Sequence, residues 1–76
     1  MALRFSAHAQ ERMRERRITA KEVEEALGHV QVESPASSAR RVNLWGETAG
    51  GRILRITTYR DQRDFVISVV APKELR

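Results

Sequence analysis

Seventy-six residues are enough for one small domain, and they carry no cysteine and a formal charge of +4. That composition excludes a disulfide framework and a thiolate metal site, and it favours a reducing, cytoplasmic setting and polyanionic partners. No apolar run is long enough for a signal peptide or a membrane span. A core of this size supplies only roughly 3–5 kcal/mol of net stability, so a bound partner or a homo-oligomer is expected.

From the N-terminus, Ser6 is placed to cap a first helix running to about Arg16, with Gln10 and Glu11 in its first turns. Phe5, Ala9 and Met13 form its apolar stripe. Beside it runs a second stripe, His8, Arg12 and Arg16 at four-residue spacing, which lines a titratable imidazole up with two permanent cations. Thr19-Ala-Lys-Glu22 has the form of a capping box, which predicts a short second helix from Ala20 with Val23, Ala26 and Leu27 inward and Gly28 at its end. Ile18 is placed as a staple against Val23.

After Gly28 the period changes. Residues 29–33 alternate as a short strand does, and residues 34–38 read as a polar, mobile connection. Residues 40–45 alternate again, with Val42 and Leu44 on one side and Arg41, Asn43 and Trp45 on the other. Residues 46–51 read as a hairpin turn into a strand over 52–60, rich in Ile and Thr. Residues 61–64 make the next turn, and residues 65–71 form the last strand, ended by Pro72 before a short charged tail. Together these predict one α+β domain over residues 1–76, with two N-terminal helices packed on one face of a three- to four-stranded antiparallel sheet.

Three segments carry a family resemblance. They are the pattern H-A-x-x-R-M-x-x-R-x-I-[ST] over residues 8–19, the E-V-x-x-A-L helix over 22–27, and the paired strands at 52–58 and 66–70. With these the chain resembles, over nearly its whole length, the domain of unknown function 4258 family, small proteins that look related to the RelE/ParE-like toxin fold and to BrnT-type toxins. Arg17 stands where such proteins usually carry glycine, and Ser68 where threonine is more frequent; neither change removes a candidate functional group. The resemblance implies a RelE/ParE-like fold. It also implies a toxin–antitoxin role, as an endoribonuclease acting on RNA, ribosome-associated mRNA included, and held inactive by an antitoxin protein.

Metal-independent RNA cleavage needs a group to move the 2′-hydroxyl proton, a proton for the departing 5′-oxygen, and cations against the charge that builds on phosphorus. His8 is the candidate acid or base, with Arg12 and Arg16 as its catalytic cations. Arg41, Arg55 and Arg60 are candidate RNA contacts from the sheet, and Tyr59 can donate a proton or stack on a base, with Trp45 as a further stacking surface. No cofactor or metal is expected, because the two histidines lie in different elements without ligand spacing, and Gly50-Gly51 sits in a hairpin and does not open a helix. His29 is better placed to meet the negative end of the second helix. Two alternatives stand beside the nuclease: a non-enzymatic basic module for nucleic acid or an acidic protein, and a structural stripe pinned by Glu22 or Glu25.

Overall fold

Ser6 both ends the first extended stretch and starts the first helix. Its hydroxyl accepts from the Ala9 N–H at 3.0 Å, and the helix behind it buries Ala9 and Met13 as the spacing predicts. In a computed structural model, which describes residues 3–36 and 38–72, the elements are β1 (Arg4–Phe5), α1 (Ala7–Arg16), α2 (Ala20–Leu27), β2 (Val30–Pro35), β3 (Arg41–Glu47), β4 (Ile53–Tyr59) and β5 (Gln62–Val70). The capping box of α2 forms with both its bonds, Glu22 N–H to Thr19 Oγ1 and Thr19 N–H to Glu22 Oε1. Ile18 and Val23 then enter the same core.

The sheet has five strands in the order β1-β5-β4-β3-β2 and is mixed, since β1 runs parallel to β5 while the other neighbours are antiparallel. This corrects the expected three to four antiparallel strands. The strand missed by pattern is Arg4–Phe5, two residues that are too few for an alternation to show. Strand β2 also runs on through Ser34 and Pro35, which the composition had assigned to a connection; Pro35 is tolerated because β2 is an edge strand. Strand β5 begins at Gln62, leaving a turn of Arg60 and Asp61 with Tyr59 and Gln62 paired across it. Residue 37 of the expected connection and the charged tail after Pro72 lie outside the described residues.

Both helices cover one face. Leu54, Ile56, Val66 and Val69 meet Ala9, Met13, Ile18, Val23 and Ala26 in one core cluster, with Leu3, Phe5, Leu27 and Ala71 packed around it. Val42 and Leu44 are buried on the same side, opposite Thr58 and Ile56 across the β3–β4 ladder. Every second residue therefore turns to the face without helices.

The α1–α2 joint turns on Arg17, which takes the left-handed conformation with φ 56° and ψ 47°. A side chain there costs about 1–2 kcal/mol that glycine avoids. Arg17→Gly is therefore expected to raise stability by about 1 kcal/mol in denaturant unfolding, partly offset by the extra freedom glycine has when unfolded. Arg52 closes the joint from the β3–β4 hairpin, donating to the Arg16 and Arg17 carbonyls at 3.0 and 3.3 Å and lying 3.5 Å from Glu22.

On the helix side, Arg63 donates to both carboxylate oxygens of Glu33 at 3.0 Å. Those bonds hold the Glu33 carboxyl below its ordinary value. Because the folded value is the lower one, the pair's contribution is present above the ordinary carboxylate value and is lost as pH falls through the folded one. The pair is exposed and so contributes little. Glu33→Gln is expected to lower neutral-pH stability slightly, with a difference from the parent that closes in an acid unfolding titration.

Candidate functional site

The face without helices is built of cross-strand rows. Asn43, Thr57 and Ser68 stand beside one another across β3, β4 and β5, as do Trp45, Arg55 and Val70 in the next row. In the opposite direction Arg41 pairs with Tyr59, whose ring stacks on Phe65 at 5.9 Å and 10°. Arg4 of β1 extends that row, with its guanidinium 5.6 Å from the Phe65 ring centre. Rows on one face are two residues apart, about 6.6 Å along the strand.

His8 reaches this face because of how α1 begins. Between Thr57↔Ser68 and Thr58↔Val66 the register slips by one residue, so Ile67 is the extra residue of a bulge in β5. Ser6 grips that bulge, its N–H donating to the Val66 carbonyl at 2.9 Å and its hydroxyl to the Ile67 carbonyl at 2.7 Å. Two residues further on, His8 shares a cleft of about 340 Å³ with Ala36, Arg41, Asn43, Arg55, Thr57, Ile67 and Ser68. Ser6→Ala should cost about 1 kcal/mol as a lost cap. Any activity at His8 should fall further than that loss of folded protein explains, a difference that rate and unfolding measurements on the same sample separate.

The cleft is rich in donors. Among the described residues two guanidiniums and an imidazole line it, and no carboxylate does. Thr57 Oγ1 donates to Asn43 Oδ1 at 2.8 Å, which leaves the Asn43 amide nitrogen to offer its hydrogens elsewhere. Arg55 lies with its guanidinium 5.7 Å from the Trp45 ring centre, and its Nε is buried with no hydrogen-bond partner among the described residues. A buried donor without a partner costs free energy that an incoming acceptor can recover.

Of the residues singled out in the sequence, His8, Arg41 and Arg55 are brought together here. Tyr59 and Arg60 line an adjoining hollow with Ala39, Arg40, Asp61 and Gln62. Arg12 and Arg16 are not among the cleft's lining residues; Arg12 is 3.4 Å from Glu15, and Arg16 is exposed on α1. Glu22 and Glu25 are engaged elsewhere, Glu22 at its cap and Arg52, and Glu25 as acceptor from the Ala49 N–H at 3.1 Å. His29 lines a different hollow with Gln31 and Glu47.

Asn43, Thr57 and Ser68 were missed as site residues. For Asn43 and Thr57 the signal was parity: on β3 and β4 they alternate with buried residues and share that parity with Arg41 and Arg55, whereas Ser68 joins their row only through the bulge at Ile67. Among the described residues no group of three or more His, Cys, Asp or Glu side chains converges, and no helix is long and apolar enough to cross a membrane.

Fold and cleft together define a small α+β domain with a histidine–arginine cleft on its uncovered sheet face. The chain belongs to the family described as domain of unknown function (DUF4258), whose model matches residues 5–71. No curated protein and no solved structure matches it.

Proposed function

We propose that this protein is a metal-independent endoribonuclease of the RelE/ParE toxin type, working at the His8 cleft. The observation that carries the reading is the convergence of one titratable imidazole with Arg41 and Arg55 in a cleft lined, among the described residues, by no carboxylate. His8 takes the 2′-hydroxyl proton, the 2′-oxygen attacks the adjacent phosphorus, and the P–O5′ bond breaks. The 5′-oxygen leaves with a proton from water, giving a 2′,3′-cyclic phosphate and a 5′-hydroxyl. Arg41, Arg55 and the Asn43 amide hold the phosphate oxygens as their charge grows, a role in which fixed cationic donors are effective.

Arg12 and Arg16 lie on the same helix as His8 and add positive charge beyond the cleft, where they attract the rest of the RNA chain. An antitoxin of this reading is an acidic segment that covers the cationic face and so blocks cleft and approach together.

The test is incubation of purified protein with a mixed RNA pool in chelator, with and without ribosomes, and analysis of the new ends. Cleavage leaving 2′,3′-cyclic phosphates is the expected result. Salt-sensitive RNA binding without cleavage in either setting would overturn the nuclease and make the protein a binding module.

A further inference from the structure

The cleft is flanked by aromatic rows on both sides, and this bears on the form of RNA that fits. On one side stand Tyr59, Phe65 and Arg4, and on the other the Trp45–Arg55 pair. Tyr59 lies four residues from Arg55 along β4, about 13 Å, with the Asn43–Thr57–Ser68 row between. Arg4, Arg41 and Arg55, the cations described on this face, take part in none of the ion pairs found among the described residues. Of the described acids near this face, Glu47 at the end of β3 accepts from Gln31 at 3.1 Å, and Asp61 lines the hollow beside Tyr59. Aromatic rings alternating with unpaired cations along a groove match splayed bases and their phosphates, whereas a duplex keeps its bases stacked inside and offers only its backbone.

We propose that the uncovered sheet face binds single-stranded RNA across the His8 cleft, with one base stacked at Tyr59 and another at the Trp45–Arg55 pair. The inference rests on the reading of this face as an RNA site and adds its substrate class: unpaired RNA, with a base held on each side of the scissile phosphate. Arg40 and Arg60 line the hollow next to Tyr59 together with Asp61, so two cations outnumber one carboxylate beyond it.

Trp45 is the sole tryptophan of the chain, so its fluorescence reports one of the two stacking positions directly. The experiment titrates the whole protein with a short 2′-O-methyl oligouridylate, which cannot be cleaved, and with the same strand annealed to its complement. The single strand is expected to quench the tryptophan, and the duplex to bind more weakly and leave its emission unchanged. Tyr59→Leu should weaken single-strand binding about 5- to 150-fold, the loss of one stacked base, while Tyr59→Phe restores it. Equal quenching by the duplex, or unchanged affinity of a folded Tyr59→Leu protein, would overturn the proposal. Failure of the nuclease reading looks different: the single strand quenches Trp45, yet natural RNA is never cut. Cleavage of natural RNA without quenching by the single strand would sink the stacking proposal and leave the nuclease.

Discussion

His8→Ala is expected to slow RNA cleavage by about 10²- to 10⁴-fold, the range over which a positioned acid or base acts. The domain should remain folded. His8 is an exposed residue in the first turn of α1, and the residues that hold that turn in place are Ser6, Ala9 and Met13. Circular dichroism and urea midpoints close to those of the parent should therefore accompany the lost rate. The guanidiniums follow a similar logic: Arg41→Ala or Arg55→Ala should each cost up to about 10²- to 10³-fold, as for removal of one transition-state donor. Lysine should restore Arg55 poorly, because the Nε donor and the guanidinium held over the Trp45 ring are both lost with it. If cleavage survives in a folded His8→Ala protein, proton transfer belongs to another group.

Gly46→Ala is expected to be the most damaging small substitution in the chain. Gly46 lies within β3 where α2 crosses, and a Cβ there would run into the backbone carbonyl of Ala26. That carbonyl already accepts the His29 N–H at 3.1 Å as the helix ends, so the helix would have to lift as a body. Overpacking of this kind costs typically about 1–3 kcal/mol and sometimes more, and a contact with backbone belongs at the upper end. Against a total near 3–5 kcal/mol, a loss of about 3 kcal/mol lowers Tm by roughly 12–24 °C and leaves much of the protein unfolded at physiological temperature. Gly50→Ala makes the control. Its added Cβ would meet only Thr48 Oγ1 at 3.9 Å, and its midpoint should stay within about 0.5 kcal/mol of the parent. Equal midpoints for the two variants in thermal or urea unfolding would show that the helix does not seat on Gly46.

The contrast between these two glycines illustrates how much the sequence discloses. Local signals were legible: Ser6 and Thr19 as caps, Glu22 closing its box, and the apolar positions of both helices, because each depends on residues within four of one another. Gly46 read as part of a turn because glycine usually marks one. Its role here is set by a helix twenty residues earlier in the chain, and only tertiary packing discloses it. The first strand was hidden for a similar reason, since Arg4–Phe5 is held as a strand by pairing with Phe65 and Val66 at the other end of the chain.

The cleft was half legible. His8, Arg41 and Arg55 stood out as charged or titratable types, whereas Asn43, Thr57 and Ser68 carry no such mark and depend on the β3–β4–β5 register to stand in one row. The helical spacing that put Arg12 and Arg16 in line with His8 is real, yet the cleft's other cations arrive from strands some thirty to fifty residues away in sequence. The bulge at Ile67, which Ser6 grips to aim His8, has no signature in composition at all.

The most direct test of the cleft as the RNA site is an NMR titration of isotope-labelled protein with uncleavable 2′-O-methyl RNA, following side-chain as well as backbone signals. The Arg55 Nε–H, the Asn43 amide hydrogens and the His8 ring are expected to shift together and saturate together, with Leu27 and Val30 on the helix side unmoved. Shifts confined to the helix side, with Arg55 Nε–H and Asn43 unchanged at saturation, would contradict the assignment of RNA to the uncovered face.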